Sequence, residues 1–251
     1  MKQTKLYIYG KHALWEAITH APKALLKVYF DPKALDAQFK KAIKESGIPT
    51  APFNDGRSRA DLKSGAADQG IIGQVSLHQL VTPFQKFAED MKATPNTSLV
   101  LLNGVQDPHN VGAIIRSSVG FGATAILLPE KEQAPITGTV LKVSSGMAFR
   151  IPLLTVTDLF ATISSLKKKG FKIYALAGEG AESIVGEQFT SPTLFILGNE
   201  AKGVSPGLRQ LCDKVLSIPI SPRAESLNVA ASSAVAMYAW SAQHPEALKQ
   251  R

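Results

Sequence analysis

The sequence has a single cysteine, Cys212, among 251 residues. One cysteine excludes an intramolecular disulfide and any metal site built from several cysteines, and it is typical of a protein in a reducing compartment. We therefore predict that Cys212 has a packing role. No apolar run reaches the roughly 18 residues of a membrane-spanning helix, and the first residues lack the apolar core of a signal peptide. These absences predict a cytoplasmic protein without a membrane partner.

Several motifs of nucleotide-dependent and metal-dependent enzymes are also missing. The sequence contains no P-loop, no H-E-x-x-H motif and no paired cysteines, so NTPase and zinc chemistry are poorly supported. Residues 120–125 (GFGATA) match G-x-G-x-x-A, but these glycines follow a helix-like segment and lead into a strand, the reverse of a dinucleotide-binding turn. A helix end closed by glycine is the simpler interpretation. We assign no metal ligands.

The composition is that of a globular protein with a basic surface. Hydrophobic residues make up 45% of the chain, which is enough to build the core of one large domain or two ordinary ones. The formal net charge is +8. This excess favours a polyanionic partner, although a basic surface can also serve solubility alone.

The pattern of apolar residues predicts two α/β units. Residues 1–78 read as a small module of alternating helices and strands, residues 79–97 as a linker that can hold one short helix, and residues 98–251 as a larger α/β domain. In the small module the predicted elements are helices over residues 11–19 and 32–46 and strands over residues 25–30, 48–53 and 70–76.

The larger domain contains short apolar runs separated by segments of helical length. This alternation is typical of a mostly parallel sheet with helices on both faces. The predicted strands are residues 99–102, 125–128, 172–177, 194–197 and 215–218.

The smaller module is the more basic of the two. Residues 1–97 contain 14 basic and 9 acidic side chains, net +5, whereas residues 98–251 contain 14 and 11, net +3. This asymmetry fits an auxiliary module that docks a large anion. Lys40, Lys41 and Lys44 could equally form the solvated face of a helix.

Three segments of the larger domain carry the candidate chemistry. They are residues 103–122 (NGVQDPHNVGAIIRSSVGFG), 197–206 (LGNEAKGVSP) and 218–238 (IPISPRAESLNVAASSAVAMY). Each places glycine and strong hydrogen-bonding side chains where a strand meets a helix-like run, which is where α/β proteins bind ligands. Together they point to an enzyme.

Each polar residue in these segments has two interpretations when taken alone. Arg116 lies among apolar and small residues, so it is either an ion-pair partner or an anion clamp. Asn110 can cap the helix that follows it, and Asn228 can be a plain N-cap. Glu200 follows a strand and is either functional or part of a simple turn.

Taken in order and spacing, the three segments closely resemble the motifs of the SpoU (TrmH) branch of the SPOUT RNA methyltransferases. The matching patterns are N-x5-R at Asn110 and Arg116, G-N-E at residues 198–200, and I-P followed by S-L-N over residues 218–228. The N-terminal segments IYGKHALWEAI and ADQGIIGQV also resemble the substrate-binding domain of the branch that methylates guanosine ribose in 23S ribosomal RNA. One departure is Asp68, where relatives commonly have histidine.

The resemblance implies a fold that composition and periodicity do not predict. The larger domain would contain a deep trefoil knot near its C terminus, and the small module would be an L30e-like RNA-binding domain. General folding rules argue against knots, so this expectation comes from the family alone. Family members are homodimers, and the small-residue helix after Asn228 would belong to the dimer interface.

The resemblance also implies a cofactor and a reaction. S-adenosylmethionine would donate a methyl group to a ribose 2′-hydroxyl, and Arg116 would hold a phosphate and stabilise the developing alkoxide. A base role for Arg116 is disfavoured by its high pKa. Glu200 would restrain Arg116 or adjacent backbone. By motif matching the catalytic residues are Asn110, Arg116, Glu200, Ser226 and Asn228, and the cofactor-binding residues are Gly178, Leu197, Gly198, Ile218 and Leu227.

Two rival functions remain at this stage. A methyltransferase of the same family acting on transfer RNA would carry the same motifs. A non-catalytic RNA-binding protein would explain the basic small module but not three motifs around a cofactor-sized pocket.

Overall fold

The computed structural model describes residues 5–52, 70–178 and 181–249. The first sheet and its helices lie within residues 5–76. Their elements are β1 (Lys5–Tyr9), α1 (Lys11–His20), β2 (Leu25–Phe30), α2 (Ala37–Ser46), β3 (Thr50–Pro52) and β4 (Ile71–Ser76). The strand order is β1-β4-β2-β3, with β4 antiparallel to β1 and β2 and with β3 parallel to β2.

Strand β1 was not predicted, and the other elements of the first sheet follow the sequence prediction with one notable shift. The helix predicted over residues 32–46 begins only at Ala37, because the Asp36 side chain accepts a hydrogen bond from the backbone N–H of Phe39 at 2.8 Å and so caps the helix there. Gly47 ends it at φ 67°, a left-handed conformation that glycine adopts without strain. Asp68 lies outside the described residues.

The second sheet occupies most of the remaining chain. Its elements, with the preceding connection, are α3 (Leu77–Leu80), β5 (Val81–Pro83), α4 (Phe84–Asp90), β6 (Ser98–Asn103), α5 (Pro108–Gly120), β7 (Ala125–Pro129), α6 (Gly138–Val143), β8 (Leu153–Val156), α7 (Leu159–Lys168), β9 (Lys172–Leu176), β10 (Glu182–Ser183), β11 (Thr193–Gly198), α8 (Pro206–Arg209), β12 (Lys214–Ser217) and α9 (Val229–Ser241). The strand order is β10-β12-β9-β11-β6-β7-β8-β5, and the described pairings are parallel.

The predicted parallel sheet is therefore confirmed, and the five predicted strands are all present within it. Three strands were not predicted: β5, β8 and β10. Strands β5 and β10 have only three and two residues, and Pro83 is tolerated in β5 because that strand lies at the sheet edge. Strand β8 is a short apolar run, which periodicity alone cannot assign.

Both faces of the large sheet are buried. On β6, Leu99 and Leu101 belong to one apolar cluster, and Val100 and Leu102 belong to another on the opposite face. All four side chains are 0% exposed. Because each face is covered by helices, the strands read as continuous apolar runs rather than as alternating patterns.

The segment predicted as a linker carries regular structure. Residues 79–97 include the end of α3, the whole of β5 and α4, and the apolar side chains of Phe84 and Ala88 are buried against the large sheet. The pattern of apolar residues over residues 79–97 is weak because these elements are short. The division of the chain at residues 78 and 98 stays a prediction.

The first sheet packs directly against the larger unit. Glu16 of α1 is 4% exposed and accepts two hydrogen bonds from the guanidinium of Arg150. Gly138 allows a close approach, since a Cβ at this position would lie 2.5 Å from the carbonyl oxygen of Tyr7. The two units therefore share a continuous apolar cluster.

Cys212 packs partly buried beside the second apolar cluster, and its Sγ lies 3.3 Å from the carbonyl oxygen of Leu208. Burial raises the pKa of its thiol to about 11, so the thiol is uncharged at neutral pH. This agrees with a packing role. Within the described ranges, no helix combines the length and hydropathy needed to cross a bilayer.

The buried carboxylate of Glu187 connects the segment between β10 and β11 to the sheet through hydrogen bonds. The Glu187 side chain is 7% exposed and accepts hydrogen bonds from Tyr174 at 2.8 Å, Lys172 at 3.1 Å and Lys214 at 2.8 Å. Burial alone would raise the pKa of Glu187, but these three donors outweigh it and hold the pKa below its ordinary value. Gln243 adds a hydrogen bond to the Glu187 carbonyl at 2.8 Å, which connects the residues after α9 to the same segment.

We predict that Glu187→Gln lowers the free energy of unfolding at pH 7 by about 2 kcal/mol, because a neutral amide replaces the carboxylate that three donors share. A carboxylate with a depressed folded pKa contributes stability above its unfolded pKa of about 4.3 and loses it as the pH falls. The variant should therefore show a flatter loss of stability between about pH 5 and pH 3, measured by urea unfolding. The exposed Glu246→Gln is the control, and equal acid sensitivity of Glu187→Gln and the wild type would contradict the prediction.

Candidate functional site

The large sheet has a gap at the carboxyl ends of its central strands. Strands β9 and β11 pair only as far as Ala175 and Ile196, after which Leu176 pairs with Leu216 of β12 and β11 continues beside β6. The chain also changes direction here, since β7 and β8 follow β6 to one side and β9 lies on the other. Open α/β sheets bind ligands in the crevice at such a point.

A cleft of about 630 Å³ opens at this gap. Its size is that of a small-molecule site. The walls come from the loops that follow β9, β11 and β12 and from the start of α9. The predicted residues among its lining are Gly178, Leu197, Gly198, Glu200, Ile218, Ser226, Leu227 and Asn228.

All five predicted cofactor-binding residues thus lie in the wall of one cleft. Two of them, Ile218 and Leu227, also have backbone N–H and C=O groups that form no hydrogen bond within the described part of the chain. Main-chain groups in a protein are almost always paired, so these are open to a ligand or to water. The cleft can therefore hold a molecule that is apolar in part and hydrogen-bonds to backbone.

Gly198 permits two loops to meet at the edge of the cleft. A Cβ at Gly198 would lie 2.1 Å from the carbonyl carbon of Gly203 and 2.3 Å from the backbone nitrogen of Val204. No side chain fits at that distance. The requirement for glycine at position 198 is therefore a matter of backbone contact within the protein.

Asn199, which sequence reasoning quoted but did not assign, organises the loop after β11. Its backbone N–H and C=O pair with Gly203 at 3.0 and 2.8 Å, and its Oδ1 accepts hydrogen bonds from the N–H groups of Ala201 and Lys202. Its Nδ2 donates to the carbonyl oxygen of Gly104 at 2.8 Å. The signal in the sequence is an asparagine directly after a strand, a residue that favours such turns.

Three predicted catalytic residues form a directed chain of hydrogen bonds. Asn228 Oδ1 accepts from the N–H groups of Ala230 and Ala231 at the start of α9, and its Nδ2 donates to Asn110 Oδ1 at 2.9 Å. Asn110 Nδ2 in turn donates to Glu200 Oε1 at 2.8 Å. Because the helix N–H groups can only donate, they fix the orientation of both amides and aim the last donor at the carboxylate.

The first and third sequence segments, residues 103–122 and 218–238, begin at the ends of β6 and β12, as predicted. The residue that caps α5 is not the one predicted. Asn110 was expected to cap α5, yet the helix begins at Pro108, and Asp107 is the cap because its Oδ1 accepts from the N–H of His109 at 2.8 Å. This leaves the amide of Asn110 free to join Asn228 and Glu200. Asn228 is an N-cap and a member of the site at the same time.

Arg116 and Ser226 are not joined to this chain of hydrogen bonds. Arg116 lies six residues after Asn110 on α5, about 240° around the helix axis, and its side chain is exposed. In the described part of the structure neither side chain has a hydrogen-bond or ion-pair partner. Glu200 accepts a hydrogen bond from Asn110, and its restraint of Arg116 or of adjacent backbone stays a prediction.

Among the described residues, no group of three or more histidine, cysteine, aspartate or glutamate side chains is arranged to hold a metal ion. The polar groups that line the cleft are amides, carboxylates, serine hydroxyls and backbone.

Comparison with known proteins identifies the family. The model of the SpoU rRNA methylase family matches residues 97–238, which include every candidate residue named above. The chain belongs to this family. The resemblance seen in the three sequence motifs is thus confirmed.

Full-length relatives within the SpoU family are also found. The chain is 30% identical to the 23S rRNA (guanosine-2′-O-)-methyltransferase RlmB of Ralstonia nicotianae, over 100% of this chain and 98% of that protein. It is 30% identical to RlmB of Pseudomonas putida, over 97% of this chain and 96% of the relative.

Solved structures share the fold. The SpoU methyltransferase AviRb from Streptomyces viridochromogenes, in complex with the cofactor AdoMet, matches with a TM-score of 0.79 at 20% identity over 96% of this chain and 91% of that one. An AdoMet-bound rRNA methyltransferase from Sinorhizobium meliloti matches with a TM-score of 0.78 at 20% identity, over 94% and 86%. The α/β fold with its mostly parallel sheet is therefore that of SpoU methyltransferases.

We predict that Gly198→Ala lowers the free energy of unfolding by about 3 kcal/mol, because the new methyl group must push the Gly203–Val204 backbone away. Gly178→Ala is the matched control, since a Cβ there meets nothing within 4 Å. Urea unfolding of the two variants measures the difference. A Gly198→Ala protein as stable as Gly178→Ala would show that the loops do not meet at this point.

Proposed function

We propose that this protein transfers a methyl group from S-adenosylmethionine to the 2′-hydroxyl of a guanosine in 23S ribosomal RNA. The observation that carries this proposal is the near full-length similarity to RlmB enzymes, about 30% identity across both units of the chain. A match limited to residues 97–238 would support a SpoU methyltransferase without indicating the RNA. We place the protein in the cytoplasm.

The cleft fits S-adenosylmethionine in size and chemistry. It combines apolar walls at Leu197, Ile218 and Leu227 with unpaired backbone groups, which suit the apolar and hydrogen-bonding parts of such a molecule. Gly178 leaves its part of the wall open, since a Cβ there would meet no atom of the described residues within 4 Å. When bound, S-adenosylmethionine supplies a methyl group activated by a positively charged sulfur.

The residues of the chain would act mainly by positioning and charge. Asn228, Asn110 and Glu200 present a fixed set of amide and carboxylate groups beside the cleft, where they orient the ribose. The Ser226 hydroxyl can hydrogen-bond to the same sugar. Such preorganised groups need no rearrangement when the reaction occurs.

Arg116 has the properties of an anion binder. Its exposed guanidinium has no carboxylate partner within the described residues, so its donors remain available for a phosphate of the RNA. A guanidinium offers hydrogen-bond donors and no acceptor, so Arg116 would stabilise the negative charge that develops on the ribose oxygen.

The proposal also includes three features that the family implies: a trefoil knot, an RNA-binding domain and a homodimer. Residues 98–251 would form a catalytic domain with a trefoil knot, and residues 1–78 an L30e-like RNA-binding domain, for which the net charge of +5 over residues 1–97 is the support. The protein would be a homodimer. The exposed side chains of Val235 and Tyr238 on α9, at 39% and 62%, are apolar and aromatic groups that a second subunit would cover.

Transfer of labelled methyl groups tests the function. We expect incorporation into 23S ribosomal RNA that lacks the modification, and 2′-O-methylguanosine after digestion to nucleosides. Labelling of transfer RNA alone would favour the related tRNA enzyme. Absence of transfer together with no heat of S-adenosylmethionine binding in calorimetry would leave only an RNA-binding protein.

We predict that Arg116→Ala lowers kcat by about 10²–10³-fold, the usual cost of removing one group that stabilises developing charge. The affinity for S-adenosylmethionine should stay within about twofold, because Arg116 does not line the cleft. Arg116→Lys should also be poor, since lysine lacks the planar fork that binds phosphate through two donors. Exposed Lys168 on α7 gives a charge-matched control as Lys168→Ala, and near-normal turnover of Arg116→Ala would remove Arg116 from the mechanism.

A further inference from the structure

The loop that joins β6 to α5 is held from two sides. On the side of β11, Asn199 donates to the carbonyl oxygen of Gly104 at 2.8 Å, and the N–H of Ser205 donates to Asn103 Oδ1 at 3.0 Å. These contacts connect the first and second sequence motifs. Neither contact involves Val105, the next residue of the loop.

Gln133, from the loop after β7, holds Val105 from the other side. Its Oε1 accepts a hydrogen bond from the Val105 N–H at 3.0 Å, and its Nε2 donates to the Val105 carbonyl oxygen at 2.7 Å. One side-chain amide therefore satisfies both main-chain groups of one residue, as a neighbouring strand would. The N–H of Ala134 adds a second bond to the same carbonyl at 3.0 Å.

The backbone beside Gln133 is bent into an uncommon conformation. Glu132 has φ 57°, a left-handed value that non-glycine residues rarely adopt. Such strain persists only where surrounding contacts enforce it, and it clusters at functional sites. Here it accompanies the turn that brings the Gln133 amide to Val105.

The loop that Gln133 holds leads directly to the hydrogen-bonded residues of the cleft. Val105 is 0% exposed and is followed by Asp107, which caps α5, and by Asn110 in the first turn. Asn110 must meet Asn228 on one side and Glu200 on the other, at 2.9 and 2.8 Å. A shift of the loop by a fraction of an ångström would therefore lengthen both bonds.

We propose that Gln133 is a positioning residue of the methyltransferase site: by clamping Val105 it fixes the start of α5 and so places Asn110 against Glu200 and Asn228. Gln133 lies outside all three sequence motifs and outside the cleft lining. The proposal rests on the proposed function for its effect on turnover, but the clamp itself is a property of the loop.

Turnover of Gln133→Leu is the first test. We expect kcat to fall about 10- to 100-fold, because small misplacement of catalytic groups has costs of this order. The dissociation constant for S-adenosylmethionine and the KM for RNA should stay within about twofold, because the substitution changes neither the lining of the cleft nor the residues proposed to bind RNA. Gln210→Leu is the matched control, because Gln210 is exposed and its side chain forms no hydrogen bond within the described residues.

Gln133→Glu supplies a second test that remains informative if the leucine variant folds poorly. Its ionised carboxylate can accept from the Val105 N–H but faces the Val105 carbonyl oxygen without a proton to donate. Protonation restores that donor in nearly the same shape. The ratio of variant to wild-type kcat should therefore rise as the pH is lowered toward the carboxyl pKa, ordinarily about 4.3, whereas the ratio for Gln133→Leu should stay flat.

Amide hydrogen exchange separates this inference from the function it rests on. Exchange over residues 105–110 should be faster in Gln133→Leu than in the wild type, whether or not an RNA substrate has been found. Unchanged exchange, unchanged kcat, a pH-independent ratio for Gln133→Glu, or a loss of kcat matched by an equal loss of S-adenosylmethionine affinity would each overturn the proposal. Failure of the wild type to methylate any RNA would instead overturn the proposed function.

Discussion

The separation of two parallel strands is the constraint on which the site depends. Beyond Ala175 and Ile196 the described pairing of β9 with β11 ends, while Leu176 of β9 still pairs with β12 and β11 still pairs with β6. The loops that follow β9, β11 and β12 therefore surround an opening, where the backbone groups of Ile218 and Leu227 have no hydrogen-bond partner among the described residues. A cleft with apolar walls and open main-chain groups is a direct result of this topology.

Hydrogen bonds to backbone hold the loops around that opening. Asn199 connects the loop after β11 to Gly104, and Gln133 connects the loop after β7 to Val105. The N–H groups at the start of α9 orient Asn228, which orients Asn110, which donates to Glu200. Asn199, Gln133 and Asn228 each bind main-chain groups directly, and Asn110 is oriented through Asn228, so the backbone sets the directions of these hydrogen bonds.

Much of the fold could be predicted because the large sheet is buried on both faces. Continuous apolar runs such as residues 99–102 and 194–197 gave five of its strands, but the three-residue β5 and the run over residues 153–156 gave no distinctive pattern. The candidate site was predicted through motifs, which include Asn110, Glu200 and Asn228, and the structure joins these three by hydrogen bonds. Gln133 could not be found in this way, because a glutamine in a surface loop has no pattern that reveals its partner 28 residues away.

The sequence alone determined which residues are proposed to carry the chemistry, because glycine, asparagine, arginine and glutamate at strand ends have properties that other residue types cannot supply. Only the tertiary structure decided which of them meet. It brought Asn110, Glu200 and Asn228 into contact and left Arg116 exposed on another face of α5. The physical reason is that hydrogen bonds act over about 3 Å, and residues 118 positions apart come that close only after β6, β11 and α9 have packed.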